Sequence, residues 1–233
     1  MIVKAIKTGI FREGENLFDF VVNHIKKVPE KSVIVITSKI VALSEGRTVV
    51  IENKKTRVKY IRKESEIALS TKFVWLTVKD NMIMANAGID ESNANGKLIL
   101  LPKNSFKSAA EIRRKLQKKF GVKNLGVLIT DSRTVPLRAG VTGVALGYAG
   151  FRGIKDYIGM PDIFGRKFLY SRSNMADALA TAAVMLMGEG SERKPLAIIS
   201  DAPVTFQNKI SPSELKIKIS DDLYRPLFSK LLK

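Results

Sequence analysis

The chain has 233 residues, 45% of them hydrophobic, with 40 Lys and Arg against 22 Asp and Glu for a formal net charge of +18. That is enough apolar material for one large core, and the charge sets up a positive field that attracts anions. With no cysteine and a single histidine, His24, the chain excludes disulfides, thiol catalysis, an imidazole-dependent serine triad and a multi-histidine zinc centre, so any metal would be held by oxygen.

In chain order, residues 2–6 read as a strand, and Thr8-Gly9 leads through Arg12-Glu13-Gly14 to a helix over 16–27, with Leu17, Phe20, Val21 and Ile25 at helical spacing. Residues 32–37, SVIVIT, are apolar enough for a central strand. Ser38-Lys39 follows, where a hydroxyl and a cation suit a phosphate; equally, Ser38 caps a short turn before Glu45-Gly46. A short strand over 47–51 precedes a basic helix over 57–69, and 73–79 with 82–87 read as a hairpin about Asp80-Asn81. Residues 86–102, NAGIDESNANGKLILLP, put Asp90, Ser92 and Asn93 on a tight connection before a turn at Asn95-Gly96 and a strand over 97–101. A serine-capped helix over 105–120 carries Ala109, Ile112, Leu116 and Phe120 on one face, and Gly121 ends it.

Residues 125–150, LGVLITDSRTVPLRAGVTGVALGYAG, form the stretch around which the chain is organised. The apolar run 125–130 reads as a strand buried on both faces that stops at Asp131-Ser132, which places an acid at a strand end. Pro136 and Ala139-Gly140 mark a loop, after which Gly143, Gly147 and Gly150 allow close approach of a ligand or another chain segment. A loop, a strand over 168–171, an apolar helix over 174–187, a strand over 195–200 and a terminal helix over 223–232 complete the reading. The whole reads as a single unit of mixed α/β class.

Two acids at strand ends, Asp90 and Asp131, each beside a hydroxyl or amide, suit a hard cation such as Mg2+, which takes one or two carboxylates and leaves positions for water and phosphate oxygens. Asp and Asn are also frequent in turns because they bond their own backbone, so spacing alone leaves both readings open. Nucleic acid is the first partner a basic chain suggests, but the charge lies in short scattered groups and the aromatics are few, so no stacking platform or basic tail stands out. No segment approaches the ~20 apolar residues of a membrane span, which leads to the expectation of a cytoplasmic protein.

Taken together and in this order, NAGIDESN, the strand running into TDS, PLRAGVTGVALGYAG, DYIGMPDIFGR and MADALATAAVMLMGEG resemble the coenzyme F-420 gamma-glutamyl ligase (CofE) family. The resemblance implies an intertwined homodimer of mixed α/β build, using GTP (or ATP) and Mg2+ or Mn2+ to join L-glutamate to the carboxylate of a phosphorylated deazaflavin, the coenzyme's precursor, through an acyl phosphate. It implies metal ligation by Asp90, Asp131 and Ser132, the last standing where the family usually has threonine, and by Glu189 in the MGEG segment. It implies nucleotide contacts at Asn93, at Gly188, Gly190 and Ser191, and at the N-terminal positions Thr8, Gly9, Ile10, Phe11, Ser38 and Lys39. Arg133 or Arg138, beside the metal aspartate, would neutralise the acceptor carboxylate or the acyl phosphate. The glycine run and the small-residue helix, which permit close backbone approach, add to the expectation of a dimer.

Three departures stand out: Arg133-Thr134-Val135 replaces the family's Gly-Arg pair, Leu43 replaces a lysine, and the stretch between Gly46 and Asp90 is shorter by about a helix. With Lys54, Lys55, Arg57, Lys59, Arg62 and Lys63 in that shortened stretch, an anionic and altered acceptor is expected. The competing classes are a basic nucleic-acid-binding protein and a nucleotide-binding relative without turnover.

Overall fold

The SVIVIT run becomes strand β2 (Ser32–Thr37) of a five-stranded sheet, and the pleat explains why nearly all of it is apolar. Ile34 and Ile36 face one helical layer while Val33 and Val35 face the other, and all four are fully buried. Residues 1–227 are described by a computed structural model of the chain. The sheet also contains β1 (Ile2–Ile6), β8 (Leu125–Thr134), β9 (Val141–Ala149) and β12 (Leu196–Ser200), in the order β1-β12-β2-β8-β9. Only β2 and β8 pair in parallel; the other three pairings are antiparallel, so the sheet is mixed.

On one face lie α1 (Leu17–His24) and α4 (Ser105–Phe120), whose Leu17, Val21, Ala109, Ile112 and Leu116 close over Ile34, Ile36, Val127 and Ile129. On the other lies α5 (Met175–Met187), whose small residues Ala176, Ala180 and Ala183 pack on Val33, Val35, Leu128 and Ala145. Burying each large aliphatic side chain in these layers is worth about 1.5–3 kcal/mol, which is what holds three layers together. Asn16, Asn104 and Asn174 cap the three helices by accepting N–H bonds from Asp19, Lys107 and Asp177. The cap of α4 is therefore Asn104, and Ser105 is its first residue.

The structure corrects several expected elements. Asp131 and Ser132 are not at a strand end: β8 runs on to Thr134, and the glycine-rich stretch is its antiparallel partner β9. The pairing steps from Ile129 opposite Gly147 to Thr130 opposite Ala145, which leaves Leu146 as a bulge. Gly143 and Gly147 do serve close approach, but to this chain's own helices: a Cβ would lie 2.5 Å from Ala180 O of α5 and 2.4 Å from Ser105 C of α4, respectively. Those contacts are internal, so the glycines themselves give no argument for a dimer.

A smaller unit precedes α4. It comprises α2 (Ser38–Ser44), β3 (Thr48–Val50), α3 (Lys54–Glu64), a meander β4 (Ile67–Ser70), β5 (Trp75–Lys79), β6 (Met82–Ala85), and β7 (Lys97–Ile99), which pairs with β3. The basic helix expected over 57–69 ends at Glu64, and its last residues become β4, because Ile67 and Leu69 pair with β5 instead of continuing the helix. Ile61, Ile89, Leu98 and Leu100 form its core. Beyond β9, β10 (Ile154–Asp156) and β11 (Arg172–Asn174) make a two-stranded ribbon, and the strand expected over 168–171 falls just short of it. The second half of the terminal helix expected over 223–232 lies outside the described residues.

Candidate active site

The parallel pair β2/β8 ends where Thr37 meets Thr130, and there a cleft of about 1210 Å3 opens. Crevices at the carboxyl ends of parallel strands are common ligand sites, because the chain leaves each strand there and frees side chains and backbone. Four separated segments line this one: the loop 9–13, the start of α2, the acid turn after β6, and the loop that follows α5, together with Thr130, Asp131 and Ser132 of β8.

Alternation along β8 sends Asp131 and Ser132 to opposite faces. Asp131 meets α2, whose Ser38 Oγ lies 3.4 Å from Asp131 Oδ1. Ser132 meets the end of α5, its Oγ donating to Glu189 Oε1 at 2.5 Å. Asp131 is partly open to the cleft as a residue, but its carboxylate is set deep among protein atoms. Burial, joined by the negative charge of Asp90, pushes its pKa from 3.8 to about 6, against the opposing bonds from Ser132 N–H and Ser38.

Asp90 is fixed by its backbone, which exchanges both hydrogen bonds with Ile99 at 3.0 and 2.8 Å. Its carboxylate accepts from Ser92 N–H at 2.6 Å and Ser92 Oγ at 2.9 Å, and pairs with Lys39 Nζ at 2.7 Å. Burial alone would raise its pKa; Lys39 and the Ser92 bonds overcome that and hold it below the usual carboxylate value. Lys39 also donates to Ser92 O at 2.9 Å and so ties the first turn of α2 to the acid turn. Asn93 takes the left-handed conformation, φ 54, which asparagine tolerates, and its amide donates to Gly190 O at 3.3 Å. That bond joins the acid turn to the loop after α5, which begins at Gly188, φ 82.

Of the residues singled out from the sequence, Gly9, Ile10, Phe11, Ser38, Lys39, Asp90, Asn93, Asp131, Ser132, Gly188, Glu189, Gly190 and Ser191 line this one cleft. Thr8 does not; it is buried behind the wall, its N–H bonded to Arg193 O at 2.8 Å. Arg133 lines a separate, smaller pocket, and Arg138 stands on the β8–β9 connection outside both. Sequence reasoning passed over Arg12, Glu13, Lys97, Arg193 and Lys194 as lining residues. Glu13 bonds Lys97 Nζ at 2.6 Å, and that bond, with the one from Thr48, lowers its pKa. The available signal was position: each of these residues flanks a turn or motif already singled out.

Among the described residues no group of three or more His, Cys, Asp and Glu side chains is gathered closely enough to hold a metal. The expected ligands stand as Asp90 with Lys39, Asp131 with Ser38, and Ser132 with Glu189. The donors are all oxygen, and the two aspartates repel one another through space, which is the chemistry a hard cation relieves. The residues therefore fit Mg2+ or Mn2+, with Lys39 as the present counter-charge of Asp90. Among the described residues no helix is long and apolar enough to cross a membrane.

The chain is 36% identical to the "Coenzyme F420:L-glutamate ligase" of Methanococcus maripaludis over 86% of its length and 88% of that protein. It is 33% identical to the protein of the same description in Methanocaldococcus jannaschii over 96% of both chains, and 29% identical to that of Archaeoglobus fulgidus over 96% of this chain and 95% of the other. The profile of the family described as F420-0:Gamma-glutamyl ligase matches residues 5–201, a span holding all the cleft residues named above. The chain thus belongs to the F420-0:gamma-glutamyl ligase family, a family of amide-forming ligases.

Proposed function

We propose that the protein joins L-glutamate to the carboxylate of an anionic acceptor at the expense of GTP or ATP. The observation that carries this reading is the convergence of Asp90, Asp131, Lys39, Asn93 and the Gly188–Ser191 loop, from four segments, on one cleft in a chain of this family. A carboxylate resists attack by an amine until one oxygen becomes a good leaving group. The γ-phosphoryl group therefore passes to the acceptor carboxylate, giving an acyl phosphate and a nucleoside diphosphate. The amine nitrogen of glutamate then bonds to the acyl carbon, phosphate leaves, and the nitrogen gives up a proton.

Asp90 and Asp131, with Ser132 and Glu189, would hold Mg2+ or Mn2+. When bound there, such a cation supplies neutralisation of phosphate charge. Lys39 pairs with Asp90 and lines the cleft, where its ammonium would also meet a phosphate oxygen. Asn93 and the backbone of residues 188–191 orient the nucleotide. With no cysteine and no histidine in the cleft, positioning and electrostatics supply most of the rate.

The relatives are named for coenzyme F420 and L-glutamate, so an F420-class acceptor heads the candidates here. The basic helix α3 lines neither cavity, and its Arg57 is paired to Glu91 and its Arg62 lies over Trp75, so a different anionic acceptor rests on the chain's overall positive charge alone. A homodimer belongs to the same reading, supported by the exposed apolar side chains Ile163, Phe164 and Tyr170 on the β10–β11 connection. A cysteine-free chain suits a cytoplasmic setting.

The test is incubation with Mg2+, GTP or ATP, L-glutamate and a panel of acceptors: the deazaflavin precursor, folates and carboxylate-ended peptides. Mass increments of one glutamate residue are expected for at least one acceptor. Absence of any increment and of Mg2+-dependent phosphate release across the panel would refute the ligase reading. Glutamylation of the deazaflavin alone would remove the altered-acceptor expectation.

A further inference from the structure

A second pocket, about 280 Å3, lies where the N-termini of α4 and α5 approach the β8–β9 bulge. Arg133 lines it, and Arg133 Nε and Nη2 are shut off from solvent with no hydrogen-bond partner. Buried donors left unused are costly, and a guanidinium more so, unless an anion meets them. Asp177 and Asp131 both attract Arg133 through space, but neither is hydrogen-bonded to Nε or Nη2; Asp177 Oδ1 accepts from Ala145 N–H at 2.8 Å and Oδ2 from Asn174 Nδ2 at 2.7 Å. A carboxylate entering the pocket would satisfy this guanidinium fork bidentately once the side chains that cover Nε and Nη2 shift to admit it. Lys103 and Lys216 bring two more cations to the same pocket, neither of them in an ion pair among the described residues, so three cations there face two acids, Asp177 and Asp80, the latter 4.0 Å from Lys79.

Size narrows the ligand. Pockets for drug-sized molecules hold roughly 300–1,000 Å3, so 280 Å3 suits an amino acid better than a nucleotide or a deazaflavin, for which the 1210 Å3 cleft has room. Position narrows it further. Arg133 follows Asp131 by two residues on β8, about 7 Å along the strand, and Leu101 lines both cavities as the wall between them.

We propose that this pocket is a carboxylate-binding subsite for the amino-acid co-substrate, one carboxylate seated on Arg133 and the other met by Lys103 and Lys216. The proposal rests on the ligase reading above and assigns that reaction's second substrate to a subsite adjoining the nucleotide cleft, with its amine reaching past Leu101 toward the acyl carbon.

The experiment is calorimetric titration of L-glutamate into the whole chain, alone and with Mg2+ and a non-hydrolysable GTP analogue, alongside the KM for glutamate. Wild type is expected to bind glutamate. Arg133→Gln is expected to weaken that binding, and to raise KM, at least tenfold, with nucleotide affinity unchanged within twofold. The surface variant Lys103→Ala/Lys216→Ala, which leaves the core untouched, is expected to weaken glutamate binding severalfold. Unchanged glutamate affinity in both variants, with circular dichroism and nucleotide binding intact, overturns the subsite. So does a fall in kcat alone for Arg133→Gln, which would mean that Arg133 acts through Asp131, and so does a wild type that binds no glutamate under either condition. Failure of wild type to glutamylate any acceptor sinks the ligase reading instead, while direct glutamate binding still decides the pocket.

Discussion

Replacing Asp131 by Asn should make the metal-free protein more stable, even though it removes a residue placed at the centre of the site. The carboxyl's pKa stands at about 6 in the folded chain against an ordinary 3.8, first because burial disfavours its charge and then because Asp90 repels it. At about 1.4 kcal/mol per pKa unit this makes the ionised group a liability of about 3 kcal/mol. Water reaching the residue from the cleft screens part of that, so about 2–3 kcal/mol is the working figure. The sign follows from linkage: between pH 4 and 6 the folded state binds more protons at this site than the unfolded state. Its stabilising proton is fully present below pH 4 and lost as pH rises through 6.

The stability difference between Asp131→Asn and wild type should accordingly be near zero at pH 4 and grow to its full size above pH 6.5. For a chain of this size that is a rise in Tm of roughly 4–12 °C, at about 2–4 °C per kcal/mol. Comparing variant with wild type at each pH cancels the opposite trend of groups not coupled to Asp131, such as Glu64, whose pKa is lowered. The assay is thermal and urea unfolding in EDTA from pH 4 to 8, repeated with Mg2+, which should stabilise wild type and not the variant. An Asp131→Asn protein no more stable than wild type at pH 7.5 in EDTA, or a difference independent of pH, would refute the reasoning.

Other expectations are simpler to state. Gly147→Ala should destabilise by on the order of 2–4 kcal/mol, because its Cβ would lie 2.4 Å from Ser105 C and 2.5 Å from Phe106 N, both backbone atoms that a rotamer change cannot clear; an unfolding midpoint within experimental error of wild type would contradict that packing. Tyr148→Phe should cost about 1–2 kcal/mol at neutral pH, since it removes the hydroxyl that donates to Glu214, leaving that carboxylate with Gly153 N–H at 2.6 Å as its remaining partner; urea unfolding measures it, and a neutral substitution would mean that the segment around Glu214 is not tied down there. Sedimentation at micromolar concentration should show a dimer, and monomer alone would remove the homodimer from the proposed function.

Much of the architecture could be read before any coordinates because the relevant forces are local. SVIVIT and the run 125–130 have no polar face, so each had to be a strand covered on both sides. The helical spacing of Leu17 and Val21, and of Ala109, Ile112 and Leu116, places α1 and α4 on a core. The residue types of the cleft were equally legible, since acids, amides and glycines at turns announce themselves by composition. What sequence could not supply was anything that depends on which segments meet. Asp131 reads as a strand end because polarity begins there, yet β8 continues, since β9 returns alongside it and satisfies its backbone. Residues 67–70 continue a helical pattern on their own and become strand only because β5 lies beside them. Arg133 reads as a neighbour of the metal aspartate, whose charge it does feel, and only the packing of α4 and α5 against the bulge at Leu146 shows that it also lines a second pocket. The glycines of β9 advertise close approach without naming the partner, and only the tertiary fold assigns Gly143 to α5 and Gly147 to α4. Composition and periodicity determine what each segment needs to bury or bond; long-range packing decides which other segment meets that need, and so where Lys39 finds Asp90 and where Ser132 finds Glu189.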